Sequence, residues 1–358
     1  MSPLRGHWYS EAMRSAVTAK VIMARLPGFL PAVLFVVCCL LLGRAHAYEG
    51  PMVDGHTHWG GSFDPQAIIE RYRASKVVAQ MVMPRYLGVR EDLPTTDEAV
   101  LAVAARFPGE MFVLAGMQRP DFTNMDWNAP SDKARLILAE VDRKLAERKV
   151  YGIGEFLVRH WAYAGDGGRI GPHAEIDKAV DTVFFREVAA VAIKYDAPLV
   201  IHMEGYPQLV QQLDDVLRLM PRLKLVWSHG CGRLKPEIIR ELMTHHPRLY
   251  CDLSNMTNTG GYGSGWPRAE AFTASMEQDG VFLPAYRTLI IDHPDRFFVG
   301  MDVAHQSRWL MRQGNTFEVR VGRTRQLLAQ LPPSVASRLA HGNAIKIFGL
   351  PISEGILR

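Results

Sequence analysis

The feature that most restricts how this chain can fold is an alternation: from residue 51 almost to the C-terminus, short apolar runs take turns with longer amphipathic stretches. Strand-like runs occupy Pro51 to His58, Val77 to Pro84, Met111 to Gln118, Val150 to Val158, Pro198 to Glu204, Leu223 to His229, Leu249 to Asn255 and Arg296 to Val303. Helical patterns follow them at Pro65 to Lys76, Thr96 to Phe107, Asp132 to Lys149, Asp177 to Tyr195, Gln208 to Met220, Pro236 to His246, Leu283 to Ile291 and Phe317 to Leu331. From Asp132, for instance, Leu136, Leu138, Val141 and Leu145 recur among Lys, Arg and Glu as one apolar stripe. Strand followed by helix implies parallel strands with helical crossovers. Eight such units predict an α/β chain of the (β/α)8 TIM-barrel class, which takes about 250 residues plus insertions. An open doubly wound sheet is the competing arrangement, but the first strand-to-helix turn lacks its glycine fingerprint. With no internal repeat and no linker-like tract, residues 48–358 are expected to form a single barrel domain with C-terminal helices.

Barrels of this kind keep their chemistry at the C-terminal ends of the strands. The polar side chains there are His56 and His58 on the first strand, Glu155 on the fourth, His202 on the fifth, His229 on the sixth and Asp302 on the eighth. Histidines at i and i+2 of a strand point to the same side and can grip one ion. An ionisable group ending an apolar strand is costly unless it is satisfied, and recurrence on five strands is hard to explain by packing. Imidazoles with a carboxylate suit zinc or a similar divalent ion with a position left for water. Such an ion makes a water nucleophile available near neutral pH. Asp54 is expected to orient a ligand or the strand end from behind.

The set HxH on strand one, His on five, His on six and Asp on eight resembles the amidohydrolase superfamily of metal-dependent barrel hydrolases. The closing stretch Gly342-Asn343-Ala344-Ile345-Lys346-Ile347-Phe348-Gly349-Leu350 is similar to the C-terminal helix of its amidohydrolase-related branch, which includes the aminocarboxymuconate-semialdehyde decarboxylase group. The resemblance spans about residues 51–350. It implies that His56, His58, His202 and Asp302 hold a catalytic metal, that Asp302 moves the proton of the attacking water, and that His229 either polarises the substrate or joins a second metal. Many binuclear members bridge their metals with a modified lysine on strand four, where this chain has Glu155. Glu155 either serves as that bridge or pairs with Arg119 or Arg159 at the rim; one metal is the leading expectation and two the alternative. The expected activity is hydrolysis of an amide, ester, lactone or related bond in a small organic substrate. Non-oxidative decarboxylation of a conjugated acid and a Glu-bridged phosphoesterase are the rivals.

Arg85, Arg119, Arg159 and Arg233 follow strand ends, and the first three are candidates for holding a substrate carboxylate or phosphate. Residues 119–130, 159–176 and 256–282, rich in Gly, Pro and aromatics, are the expected substrate walls, with Trp161, Tyr163, Tyr262 and Trp266 as an aromatic lining and His160, His173 and His305 near the rim.

The first 47 residues differ from the rest. Arg5, Arg14, Lys20 and Arg25 precede an uncharged apolar run from Phe29 to Leu42, and Ala45-His46-Ala47 follows. This reads as a secretory signal peptide cleaved after Ala47, with Met23 as an alternative start, and the run is shorter than the ~20 residues of a membrane span. An exported, periplasmic or extracellular protein with no membrane anchor after cleavage is expected. The leader holds five of the 41 basic residues and one of the 37 acidic ones, so the remainder balances at 36 of each and offers no electrostatic footprint for nucleic acid. The partner is expected to be a small-molecule substrate, and a homo-oligomer is compatible with the sequence. Cys231 and Cys251 could bridge in an oxidising compartment, but with Cys231 beyond one strand and Cys251 within the next, two free thiols are the expectation.

Overall fold

The computed structural model describes residues 47–86, 93–161, 175–257, 270–304 and 316–357. Residues 1–46 of the expected leader, Tyr163, His173, Tyr262, Trp266 and His305 lie outside them.

Eight strands make the barrel: β1 (Met52–Trp59), β2 (Val77–Pro84), β3 (Met111–Val113), β4 (Ile153–His160), β5 (Pro198–Met203), β6 (Lys224–Trp227), β7 (Leu249–Asp252) and β8 (Phe297–Phe298). All neighbouring pairs run parallel, with β3 joined to β4 by the bridge between Ala115 and Ile153. The ring closes between β1 and the chain after β8, where Gly55 N donates to Val299 O at 2.9 Å and Asp302 N to His56 O at 2.7 Å. The TIM barrel expected from the alternation is thus the fold. Among the described residues no helix is long and apolar enough to cross a membrane.

The helices start where the sequence chemistry says they should. Asp64, Thr96, Ser131, Thr182 and Thr316 each accept backbone N–H groups at the start of a helix, and proline opens the first turn at Pro65, Pro207, Pro236 and Pro284. Two expectations shift. The stretch from Asp177 becomes helical only at Val183, because Ile176–Asp177 pairs antiparallel with the end of β4 and Thr182 supplies the cap. In the helix Asp132–Ala146 the buried stripe includes Ala134, Leu138, Val141 and Leu145, whereas Leu136 is exposed.

Two apolar layers result. One lies between the strands and the surrounding helices, with Phe156 stacked on Trp127 at 4.5 Å. The other fills the barrel axis with Val53, Met81, Leu114, Val200 and Phe298, and is closed from the N-terminal end by Ile347 and Phe348 of the helix Asn343–Phe348. That helix stops at Gly349, which takes φ 64°. A register shift in β1 between Asp54 and Thr57 lets Val53 face the inner core while His56 and His58 face the open end above it.

The cysteine expectation is corrected. Cys231 and Cys251 form a disulfide with Cα atoms 5.0 Å apart. His229 to Arg233 wind as a left-handed turn, with φ of 60°, 62°, 54°, 66° and 59°, which carries Cys231 back against β7 instead of away from it. Each L-residue in that conformation costs roughly 1–2 kcal/mol, and three of the five are not glycine.

Candidate metal centre

The six polar side chains singled out at the strand ends converge on one buried volume. His56 Nε2 and His58 Nε2 lie 3.4 Å apart, and Asp302 Oδ1 stands 3.7 Å from the first and 3.4 Å from the second. A tetrahedral ion with bonds of about 2.0–2.1 Å holds its ligand atoms about 3.3–3.4 Å apart; two edges of this triangle match that spacing and the third, at 3.7 Å, is slightly longer. A second triangle adjoins it. His202 Nδ1, His229 Nε2 and Glu155 Oε1 are separated by 3.0, 3.2 and 3.6 Å. Glu155 faces both, since Oε1 is 3.7 Å from His56 Nε2 and Oε2 is 3.6 Å from His58 Nε2. His202, grouped by the family resemblance with the first ion, therefore sits with His229 and Glu155. All six residues are buried.

The sets His56–His58–Asp302 and His56–Glu155–His229 each bring their donor atoms within 4.8 Å of one another. Nitrogen donors with carboxylate oxygens are the ligand chemistry of zinc and similar divalent ions.

Three of the four imidazoles are aimed by the nitrogen they turn away from the centre. His56 Nδ1 meets Asp252 Oδ2 at 2.9 Å, His202 Nε2 meets Glu204 Oε1 at 3.1 Å, and His229 Nδ1 meets Ser254 Oγ at 2.9 Å. His58 Nδ1 is buried without a partner among the described residues. Glu204 is held in turn by two bonds from Arg233, at 2.8 and 2.9 Å, and Gln118 donates to Glu155 Oε2 at 2.9 Å. Asp54 acts as expected: Oδ1 accepts from the backbone N of His56 and of Met301, and Oδ2 from Tyr72. It ties β1 to the chain after β8 below the site.

Burial disfavours charge on His56, but Asp252, Glu155 and Asp302 outweigh it and push its pKa up to about 10. Burial works against His202 in the same way, and Glu155 and Glu204 raise it to about 9. His229 goes the other way, to about 4, through burial and the nearby charges of His202 and Arg233. Burial disfavours ionisation of Glu155 and Asp302 too, yet the surrounding imidazoles hold both well below the usual carboxylate range. The centre is a set of opposite charges concentrated in a buried volume, with His229 neutral.

Asp252 and Glu204 were not singled out from the sequence. Both carried a signal: Asp252 ends an apolar strand exactly as His202 and Asp302 do, and Glu204 lies two residues after His202 on the same side of the strand. The arginines expected to face substrate are engaged by the protein. Arg85 donates to Ala304 O, Arg119 to Gly116 O while pairing with Asp97, and Arg159 to Ile176 O, Glu175 and Tyr206. Trp161 is fully buried and donates to Tyr206 Oη at 2.8 Å. His160 is buried with its ring 4.7 Å from that of His202.

Residues 53–350 match the family model described as Amidohydrolase. No curated protein matches the chain. Among solved structures, a TIM-barrel protein from Bordetella bronchiseptica superposes with a TM-score of 0.50 at 15% identity, over 79% of this chain and 82% of that one. A dihydroorotase from Saccharomyces cerevisiae, in complex with 5-fluoroorotic acid, superposes with a TM-score of 0.51 at 12% identity, over 87% of this chain and 86% of that one. At such identities these two speak for the barrel alone, but the family model covers nearly every residue from the first strand to the closing helix, and the chain belongs to the amidohydrolase family of metal-dependent enzymes.

Proposed function

We propose that this protein is an exported hydrolase that uses two divalent ions, with zinc the best chemical fit, to cleave an amide, ester, lactone or related bond in a small organic substrate. The observation that carries the reading is the pair of triangles sharing Glu155, whose two carboxylate oxygens reach donors of both. His56, His58 and Asp302 would hold one ion, His202 and His229 the other, and Glu155 would lie between them. Bound there, the ions supply a water nucleophile at neutral pH and Lewis acidity at the scissile carbonyl. The chain's own residues do the rest. Asp302, ionised and at the mouth, takes the proton of the attacking water and passes it to the leaving group. Asp252, Glu204 and Ser254 fix which imidazole nitrogen faces the ions. The Cys231–Cys251 disulfide supports the exported reading, because such bonds persist in oxidising compartments.

The test is elemental analysis of zinc-loaded protein beside its Glu155→Gln variant, with both assayed on a panel of lactones, esters and cyclic amides. Two ions per chain, fewer in the variant, and hydrolysis that falls with the second ion are expected. A single ion together with carbon dioxide release from a conjugated acid would replace this reading by the decarboxylase one.

A further inference from the structure

The left-handed turn from His229 to Arg233 is an unusual way to deliver two site residues. Gly230 and Gly232 are required in it, since a Cβ would come 2.2 Å from Met276 Sδ at the first and 2.5 Å from Met203 O at the second. His229, Cys231 and Arg233 have no such freedom, so something other than backbone preference must keep them there. The two ends of the turn feed the same triangle. His229 supplies Nε2, and Arg233 holds Glu204, which aims His202 by its Nε2. At the middle stands Cys231, bonded to Cys251. The residue after Cys251 is Asp252, whose Oδ1 accepts from His229 N at 3.2 Å. Crosslink and hydrogen bond together fasten the turn to β7 at two points.

We infer that the Cys231–Cys251 disulfide is a positioning crosslink for the second ion: it holds the turn in the conformation in which His229, and His202 through Arg233 and Glu204, are correctly placed. This rests on the two-ion reading above. The first triangle draws no residue from the turn, and Asp252, which aims His56, keeps supports outside the turn: its backbone pairs with Phe298 in the barrel ladder, and its Oδ1 also accepts from the backbone N and Oγ of Ser254. Opening the crosslink therefore separates the two ions in affinity instead of weakening both.

The experiment titrates zinc, and cobalt for its visible spectrum, into metal-free wild type and the Cys231→Ala/Cys251→Ala double variant, with circular dichroism and thermal melts on both. The expected result is a folded variant that keeps the first ion within about threefold of wild type and binds the second at least about tenfold more weakly, the scale of losing an outer-shell support. Folded wild type reduced with a phosphine should behave like the variant, and reoxidation should restore the second ion; this arm decides the matter if the double variant does not fold. Equal affinity for the second ion with and without the crosslink would overturn the inference, and so would a parallel loss of both ions that tracks the fall in melting temperature. If intact wild type itself takes only one ion, the two-ion reading fails first, and that outcome is distinct from the other two.

Discussion

Asp252 Oδ2 lies 2.9 Å from Nδ1 of His56, both side chains wholly buried, while Asp252 Oδ1 accepts from the backbone N of His229 and of Ser254 at 3.2 and 2.9 Å. One carboxylate on β7 thus aims an imidazole of the first triangle and pins the chain that carries an imidazole of the second. A carboxylate behind a ligating histidine fixes the tautomer and makes the facing nitrogen a better donor.

Asp252→Asn keeps the shape and removes the charge. Its metal affinity, measured by competition with a chelating dye, should fall by about 10–100-fold while the metal-free protein stays folded. An unchanged affinity would mean that His56 is held by packing alone.

Loading the site with metal should release protons. In the metal-free protein His56, at about 10, and His202, at about 9, carry protons at pH 7.5, whereas His229, at about 4, does not. A metal displaces those protons, so apparent affinity should rise with pH and level off only above the His56 value. Calorimetry in buffers of different ionisation enthalpy should count roughly two imidazole protons per fully loaded chain near pH 7.5, with ionisation of water at the ions adding to that number. The count should fall in Asp252→Asn, where His56 loses its largest upward influence. Release close to zero would contradict the charge state described here.

The barrel and the six strand-end residues were legible because each rests on a local pattern: apolar runs of strand length, helix-cap residues, and ionisable groups where an apolar strand stops. Three things were not legible. The pairing of His202 with His229 depends on neighbouring strands β5 and β6 and on Nδ1 of His202 facing inward, which Glu204 decides. The disulfide depends on a left-handed turn that Gly230 and Gly232 permit but that His229, Cys231 and Arg233 disfavour. The rim arginines looked available because sequence shows a guanidinium but not the Asp97, Glu175 or Glu204 that engages it. In each case the sequence leaves out which residues meet in space, from Glu204 two positions after His202 to Cys251 twenty after Cys231.

Phe156 carries the packing behind β4. Its ring is fully buried, stacks on Trp127 at 4.5 Å and on Phe185 at 6.1 Å, and meets Phe122 and Phe184 edge-on. Phe156→Ala should destabilise the protein by about 3–5 kcal/mol in chemical denaturation, the usual scale for emptying an aromatic site. Because Phe156 follows Glu155, metal affinity should weaken with it; a loss below about 1 kcal/mol would show that the cluster collapses to fill the space.

Gly300 makes the strongest link between backbone packing and the site. A Cβ built there would sit 2.7 Å from Cβ of His56 and 3.3 Å from Cβ of Ser254, the residues that offer a donor to one triangle and orient the other. Both neighbours are buried and neither contact is the end of a flexible chain, so the added methyl must push β1 and the chain after β8 apart. Overpacking of that kind costs about 1–3 kcal/mol. The same displacement moves His56 relative to His58 and Asp302, whose donor atoms now span 3.4–3.7 Å. Gly300→Ala should therefore lose metal affinity by a larger factor than its fall in stability suggests. The check is a chelator competition beside a denaturant melt, with Gly322→Ala as the control, since a Cβ at Gly322 meets nothing within 4 Å. Equal behaviour of the two variants would show that the close approach at Gly300 has no bearing on the centre.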